Sequence, residues 1–318
     1  MLYGFRIENG QIHLLDETQQ ASDCDWLDLV APDDEERALV DRRYGEVVPD
    51  TEDREELEAS SRYFTDDDGI HVHSLFMYRG EGRSRNGTVA FTLGRDRLVT
   101  SRDNEMPDFR LLRLRIRNSR VLADGPLAIM LALFEQKVDH LADELEDLHK
   151  ELEDVSRSVL IDDETGPGSA DDLEADIDEL AEIEDTNGKV RLCLMDTQRS
   201  VSFLMRHIRD DAAALETCRE VLRDAESLLT HTNFVFEKVN FLMAAAQGFI
   251  SIRQNQIIKI FSIAAVVFLP PTLVASIYGM NYRVMPELDW AWGYPFALGL
   301  MVIAGIAPYL LFKRKGWL

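Results

Sequence analysis

The chain is short of positive charge: among its 318 residues, 34 lysines and arginines stand against 58 aspartates and glutamates, a formal net charge of −24. A polyanion needs a basic face that displaces its counterions, so this balance argues against a nucleic-acid partner. Cysteine is scarce too. Cys24, Cys193 and Cys218 form no spacing pattern, and their odd number argues against a disulfide framework and for a reducing compartment. The opening MLYGFRIENGQIHLL lacks the basic start and apolar core of a signal peptide, so the long N-terminal part is expected in the cytoplasm. No phosphate-cradling glycine loop and no nucleophile elbow is present, which leaves an enzyme reading without a foothold. His71 and His73 alternate on an expected strand, but no third ligand lies at a metal-like spacing, so they read as ordinary strand histidines rather than a zinc site.

What charge there is has been segregated. From Arg253 onward there are six basic and two acidic residues, a balance of +4; residues 1–252 therefore carry 28 basic and 56 acidic residues, or −28. An N-terminal region of this sign concentrates cations around it.

Residues 1–125 mix short runs of both kinds and predict a compact α/β domain. Strands are expected at 3–7, 26–30, 71–78, 88–93 and 98–101, with helices after Pro32 and after Pro107. From Pro126 the texture becomes acidic and helical. Val138, Leu141, Leu145, Leu148 and Leu152 recur at steps of three and four, predicting a long amphipathic helix. After a Gly-Pro-Gly hairpin near 166–168, a second helix is expected from Ala170 to about Arg209, with Leu180, Ile183, Leu192 and Met195 facing inward. A third begins near Leu215 and meets no proline until Pro270.

Two stretches near the C-terminus, 260–280 and 290–312, contain no charged side chain. Each is as long as the roughly 20 residues that cross a hydrocarbon core. Lys259 precedes the first, and Lys313, Arg314 and Lys315 follow the second, which places both termini in the cytoplasm and residues 281–289 outside. Tyr278, Tyr282, Trp290, Trp292 and Tyr294 cluster at the outer ends as an interfacial belt. The competing reading is a pair of core helices in a soluble protein.

Within the first stretch the hydroxyls Ser262, Thr272 and Ser276 fall on one register, Asn255, Ile258, Ser262, Ala265, Leu269, Thr272, Ser276 and Gly279. Its seven-residue period lets symmetry-related copies surround an axis. A stripe so free of fixed charge suits a narrow pore, and it equally suits a dry helix contact, because Ser and Thr also bond back to their own helix. Pro270-Pro271 removes two backbone donors in mid-span and should bend the helix or loosen its ladder.

Tyr278-Gly279-Met280-Asn281 closes the first of two C-terminal spans, "MPEL" follows at 285–288, and the chain ends in "KRKGWL". With "VVFLPPTLVAS", "VRLCLMDTQR", "FEKVNFLM" and "WLDLVAPDDEER" upstream, the whole chain resembles the CorA family of magnesium channels. The resemblance implies a cytoplasmic α/β domain, a long-helix stalk and two C-terminal transmembrane helices, assembled as a funnel-shaped homopentamer in a bacterial inner membrane. Its divisions would be 1–125 (α/β), 126–256 (acidic hairpin and stalk), 257–280 (pore-lining span), 281–289 (outer loop), 290–312 (second span) and 313–318 (basic tail).

In such an assembly Gly279, Met280 and Asn281 form the outer entrance, while Asn255, Ile258, Ser262, Ala265, Leu269, Thr272 and Ser276 line the path. Mg²⁺ gives up its waters reluctantly, and an entrance that takes it hydrated needs neutral acceptors such as a carboxamide oxygen and a glycine carbonyl. Co²⁺ and Ni²⁺ have similar hydrated size and equal charge and are expected to pass as well. Glu287 and Asp289 either gather cations or are solvated loop acids. The resemblance also implies closure by cytoplasmic Mg²⁺ held between subunits, with Glu220 in the sensing position and Asp66, Asp67 and Asp68 as its cross-subunit partners. No organic cofactor is implied. A zinc-transporting relative of the same fold and a non-conducting membrane-anchored scaffold are the alternatives, separable by ion flux.

Overall fold

A computed structural model describes residues 1–15, 24–44, 62–117, 124–160, 170–281, 283, 285–286 and 289–316. The expected hairpin at 166–168, Tyr282, Glu287 and the end of "MPEL" lie outside these residues. The chain divides into two compact units: Met1–Gly166 with Glu174–Met243, and Ala244–Leu318 with Pro167–Leu173.

The first unit is built on seven strands, β1 (Leu2–Glu8), β2 (Gln11–Leu14), β3 (Trp26–Val30), β4 (Tyr63–Thr65), β5 (Ile70–Gly80), β6 (Arg83–Leu93) and β7 (Leu98–Arg102). Their order in the sheet is β2-β1-β3-β7-β6-β5-β4, with β3 and β7 parallel and every other neighbouring pair antiparallel. Two tight hairpins shape it. Asn9 and Gly10 have φ of 52° and 77°, and Glu81 and Gly82 have 53° and 79°, the left-handed pairs that let a two-residue turn follow the strand twist.

Side-chain alternation sorts the sheet into two faces. Leu27, Leu29 and Val99 pack with Val40 of helix α1 (Asp34–Tyr44) on one face. Asp33 and Glu36 start α1 as a reciprocal cap: the Glu36 N–H donates to Asp33 Oδ1 at 2.8 Å, and the Asp33 N–H donates to Glu36 Oε2 at 3.2 Å. The other face, with Phe5, Trp26, Phe76 and Phe91, forms one core with α2 (Pro107–Arg117), α3 (Pro126–Leu160), α4 (Ala170–His207) and the beginning of α5 (Ala212–Tyr278).

Helix α3 buries Val138, Leu141, Leu145, Leu148 and Leu152 as its periodicity predicts. On α4 the expectation holds for Leu180 and Ile183, but Leu192 is 55% exposed and Met195 39%. The buried face there is Cys193, Leu194, Asp196, Thr197 and Ser200. Its polar members bond inside the core, so a reading that places only apolar residues inward picks the wrong register. All three cysteines are buried. Burial pushes the Cys193 thiol up to about 12 and the Cys218 thiol up to about 11, which keeps both protonated and unreactive.

The second unit contains the last part of α5 and α6 (Gly293–Arg314). Pro270 and Pro271 lie inside α5, which continues past them to Tyr278. Neither has an N–H, so the carbonyls of Val266 and Val267 lack their helical donors. Gly305 of α6 is buried against that place: a Cβ there would stand 3.2 Å from Pro271 Cγ and 3.3 Å from the Val267 carbonyl oxygen. Only a residue without a side chain lets the two backbones approach so closely.

Candidate ion path

Apolar helices of a soluble core are buried; these are not. None of the apolar window of α5 is buried and only 11% of that of α6, with Phe261 and Phe268 about 70% and 69% exposed. Surface of that kind has to be covered by lipid or by other copies of the chain.

The two sides of α5 differ. Ile263, Val267, Pro270, Pro271 and Val274 are half-buried, and Gly305 of α6 sits over Val267 and Pro271. At 100° per residue, the register Asn255, Ile258, Ser262, Ala265, Leu269, Thr272, Ser276 lies on the opposite side of the helix from Val267 and Pro271, although Ser262 also borders a slot with Tyr309 and Phe312 of α6. Every one of those seven side chains is exposed. The hydroxyl of Thr272 donates back to the Phe268 carbonyl at 2.7 Å, leaving its oxygen free to accept from water.

Helix α5 ends at the candidate entrance. Gly279 and Met280 close its last turn with hydrogen bonds from their N–H groups to the carbonyls of Ala275 (2.9 Å) and Ile277 (3.3 Å). A Cβ on Gly279 would meet the Ala275 oxygen at 3.1 Å. Asn281 follows just outside the helix with its carboxamide exposed, and Met280 is 45% exposed. From Glu237 to Glu287 no carboxylate interrupts the chain, so stripe and tip contain carbonyl, amide and hydroxyl oxygens and no anionic ligand.

A family described as CorA-like Mg²⁺ transporter protein matches residues 21–314. The magnesium transport protein CorA of Escherichia coli (strain K12) is 50% identical over 321 residues, covering all of both chains. That of Sodalis glossinidius is likewise 50% identical over 321 residues and both full lengths. The chain belongs to the CorA family of Mg²⁺ transporters. Its fold is also that of the complete CorA magnesium transporter from Methanocaldococcus jannaschii, with a TM-score of 0.77 at 18% identity, covering 100% of this chain and 99% of the other. The exposed apolar helices are accordingly the membrane segments of a CorA protein.

Within this CorA chain the expected sensing acids have distinct surroundings. Glu220 is exposed on α5, in a cleft of about 580 Å³ with Glu135 and Asp139 of α3 and with Asp224, and among the described residues Arg115 is the one basic side chain lining it. Burial raises the Glu135 carboxyl above its ordinary value, and Asp139 and Glu220 push it further. Burial raises Asp139 too, against the opposing Arg115, with Asp143 and Asp224 adding to the rise. These neighbours of Glu220 went unnoticed in the sequence, although Glu135 with Asp139 and Glu220 with Asp224 are spaced to share helix faces.

Asp66 differs from its two neighbours. Its Oδ1 accepts from the backbone N–H groups of Asp68 (2.9 Å) and Gly69 (3.1 Å) and pairs with His71 Nε2 (2.9 Å). Burial pushes the Asp66 carboxyl up, and these hydrogen bonds outweigh it and hold the group below its ordinary value. Asp67 and Asp68 are exposed. The other ring nitrogen of His71 lies 3.2 Å from Thr92 Oγ1, and the ring stacks on Phe64. Among the described residues no group of three or more His, Cys, Asp or Glu is placed to hold a metal. Asp289 is exposed.

Proposed function

We propose that this protein conducts hydrated Mg²⁺ across a bacterial inner membrane as a homopentameric channel, with both termini cytoplasmic. The observation that carries the reading is the uncharged stripe from Asn255 to Ser276, exposed along its length, opposite the Val267 and Pro271 contact with Gly305, and leading to Gly279-Met280-Asn281. Every side chain of that face is exposed among the described residues. Five copies turned inward would make a path in which water-clad ions meet only neutral oxygens and small or aliphatic side chains, with α6 on the outside. Neutral acceptors bind the outward-pointing hydrogens of the ion's waters and let the ion leave again, which conduction requires. Asn281 and the Gly279 carbonyl are the entrance, and Asp289 and Glu287 gather cations before it. Co²⁺ and Ni²⁺ pass by the same recognition.

An inside-negative membrane pulls a divalent ion inward with about 4.6 kcal/mol per 100 mV, so an open path needs closing. The regulatory ion is cytoplasmic Mg²⁺, and Glu220 is its sensing acid. Because Asp66 is committed to its own turn and to His71, Asp67 and Asp68 are the better cross-subunit ligands. The domain limits proposed are 1–125, 126–256, 257–280, 281–289, 290–312 and 313–318.

Flux of Mg²⁺ into liposomes containing the purified protein tests the proposal. Wild type is expected to take up Mg²⁺, and Asn281→Ala to fall to the background of empty liposomes while eluting as the same oligomer. Unchanged flux in Asn281→Ala would overturn the entrance. A preference for Zn²⁺ would make the protein a zinc transporter, and no flux of any divalent ion would leave a scaffold.

A further inference from the structure

Between the Lys259 end of membrane helix α5 and the turn of α6 that carries Tyr309 and Phe312 lies an unfilled slot of about 180 Å³. Its walls are Ile263, Val266, Val267 and Phe312, all half-buried, with the exposed Ser262 at its border. Lys259 and Tyr309 also line it, and both are exposed. We propose that this slot binds one anionic phospholipid of the cytoplasmic leaflet, its phosphate at Lys259 and Tyr309 and part of an acyl chain against the apolar walls.

The argument is one of complementary charge joined to a two-part shape. Lys259 lies in a stretch with no carboxylate between Glu237 and Glu287, and Phe312 is followed directly by Lys313, Arg314 and Lys315. This end of the helix pair is therefore cationic, and an anionic headgroup is attracted to it whereas choline is not. A phosphate accepts from the Lys259 ammonium and from the Tyr309 hydroxyl, both donors. Apart from the Ser262 hydroxyl at the border, the walls offer nothing to free phosphate, but they remove methylenes from contact with water and headgroups. Without an occupant the apolar walls would border an empty gap, which close-packed interfaces avoid.

The inference rests on the membrane orientation proposed above, with Lys259 on the cytoplasmic side. Its test uses the full-length protein reconstituted in vesicles of equal phosphatidylcholine and phosphatidylglycerol, with retained lipid counted by native mass spectrometry and Mg²⁺ flux measured on the same preparation. Wild type is expected to retain phosphatidylglycerol in preference to phosphatidylcholine. Lys259→Gln should lower that preference about fivefold, the effect of one basic group at the surface. Val266→Phe, which fills the slot without altering charge, should lower it as well, whereas Lys313→Gln, outside the slot, should leave it largely in place.

Equal retention of the two lipids by wild type would overturn the inference. So would equal losses in Lys259→Gln and Lys313→Gln, which would mean diffuse surface attraction, or displacement of the lipid by inorganic phosphate, which would mean an anion site. If either slot variant fails to fold, the other together with the wild-type lipid count decides. Absent Mg²⁺ flux in wild type counts against the transport reading alone, and normal flux without lipid preference counts against the slot alone.

Discussion

Lys137 of α3 and Asp196 of α4 are both buried, with 3.6 Å between the ammonium and Asp196 Oδ2. Lys137 also donates to Ser74 Oγ at 3.0 Å. Asp196 accepts from the Ser74 hydroxyl at 2.5 Å, the Leu75 N–H at 2.8 Å and the Tyr63 hydroxyl at 3.0 Å. One carboxylate thus ties α4 to two strands of the sheet while matching the charge of α3. Asp196→Ala leaves a buried ammonium without its counter-charge and is expected to cost about 3–5 kcal/mol. Converting Lys137 to Met in the same chain should recover part of that, as denaturant unfolding of both variants would measure.

His140 gives the cytoplasmic unit a pH dependence. Burial alone would push its imidazole down, but the hydrogen bond with Asp108 (3.1 Å) and the close Glu144 carboxylate (3.7 Å), reinforced by their charges, outweigh it and hold the group up to about 9. The folded value lies above the ordinary 6.5, so the stabilisation is fully present below about 6.5 and is lost as pH rises through about 9. It amounts to about 2–3 kcal/mol. Melting temperature measured from pH 6 to pH 10 should therefore fall, and His140→Gln should flatten that part of the curve; an identical fall in the variant would assign it elsewhere.

Gly305 and Gly279 both leave little room for a side chain, with different consequences. Gly305→Leu drives carbon into Pro271 and the Val267 carbonyl, and is expected to lose about 1–3 kcal/mol of packing and to lower the yield of assembled protein on size exclusion. Gly279→Ala crowds only the Ala275 carbonyl at the helix end. It should assemble normally and lose Mg²⁺ flux, so a variant that conducts normally would contradict the role given to that turn.

Glu220→Ala should weaken closure by internal Mg²⁺. In vesicles loaded with Mg²⁺ the variant is expected to keep conducting where wild type shuts, and Mg²⁺ should protect it less from protease. Asp66→Ala serves as the contrast: it should loosen the turn before β5 and lower stability more than it alters closure.

Much of this molecule is legible in its sequence where one physical signal dominates. The strand Trp26–Val30 stands out by its large apolar side chains around Asp28, and the α3 stripe by simple period. The uncharged spans are equally plain. Strand β2 and strand β4 escaped, the first because only four residues follow its Asn9-Gly10 turn, the second because it is three residues long and held by its neighbour β5. The inward face of α4 escaped for another reason: Asp196, Thr197 and Ser200 are buried through partners far away in the chain, and nothing local announces a satisfied polar group. At the ion path the register was readable from three hydroxyls, but which side of α5 meets α6 was not, since that depends on where Gly305 comes to lie.

That last placement has a genetic consequence. If the exposed stripe is the path of the pentamer proposed above, one chain cannot enclose it alone, and every conducting particle would sample several gene products at once. If five chains are drawn at random from equal pools of wild type and Asn281→Ala, only about one particle in 32 is wholly wild type. The defective allele should therefore behave as dominant in a cell that expresses both.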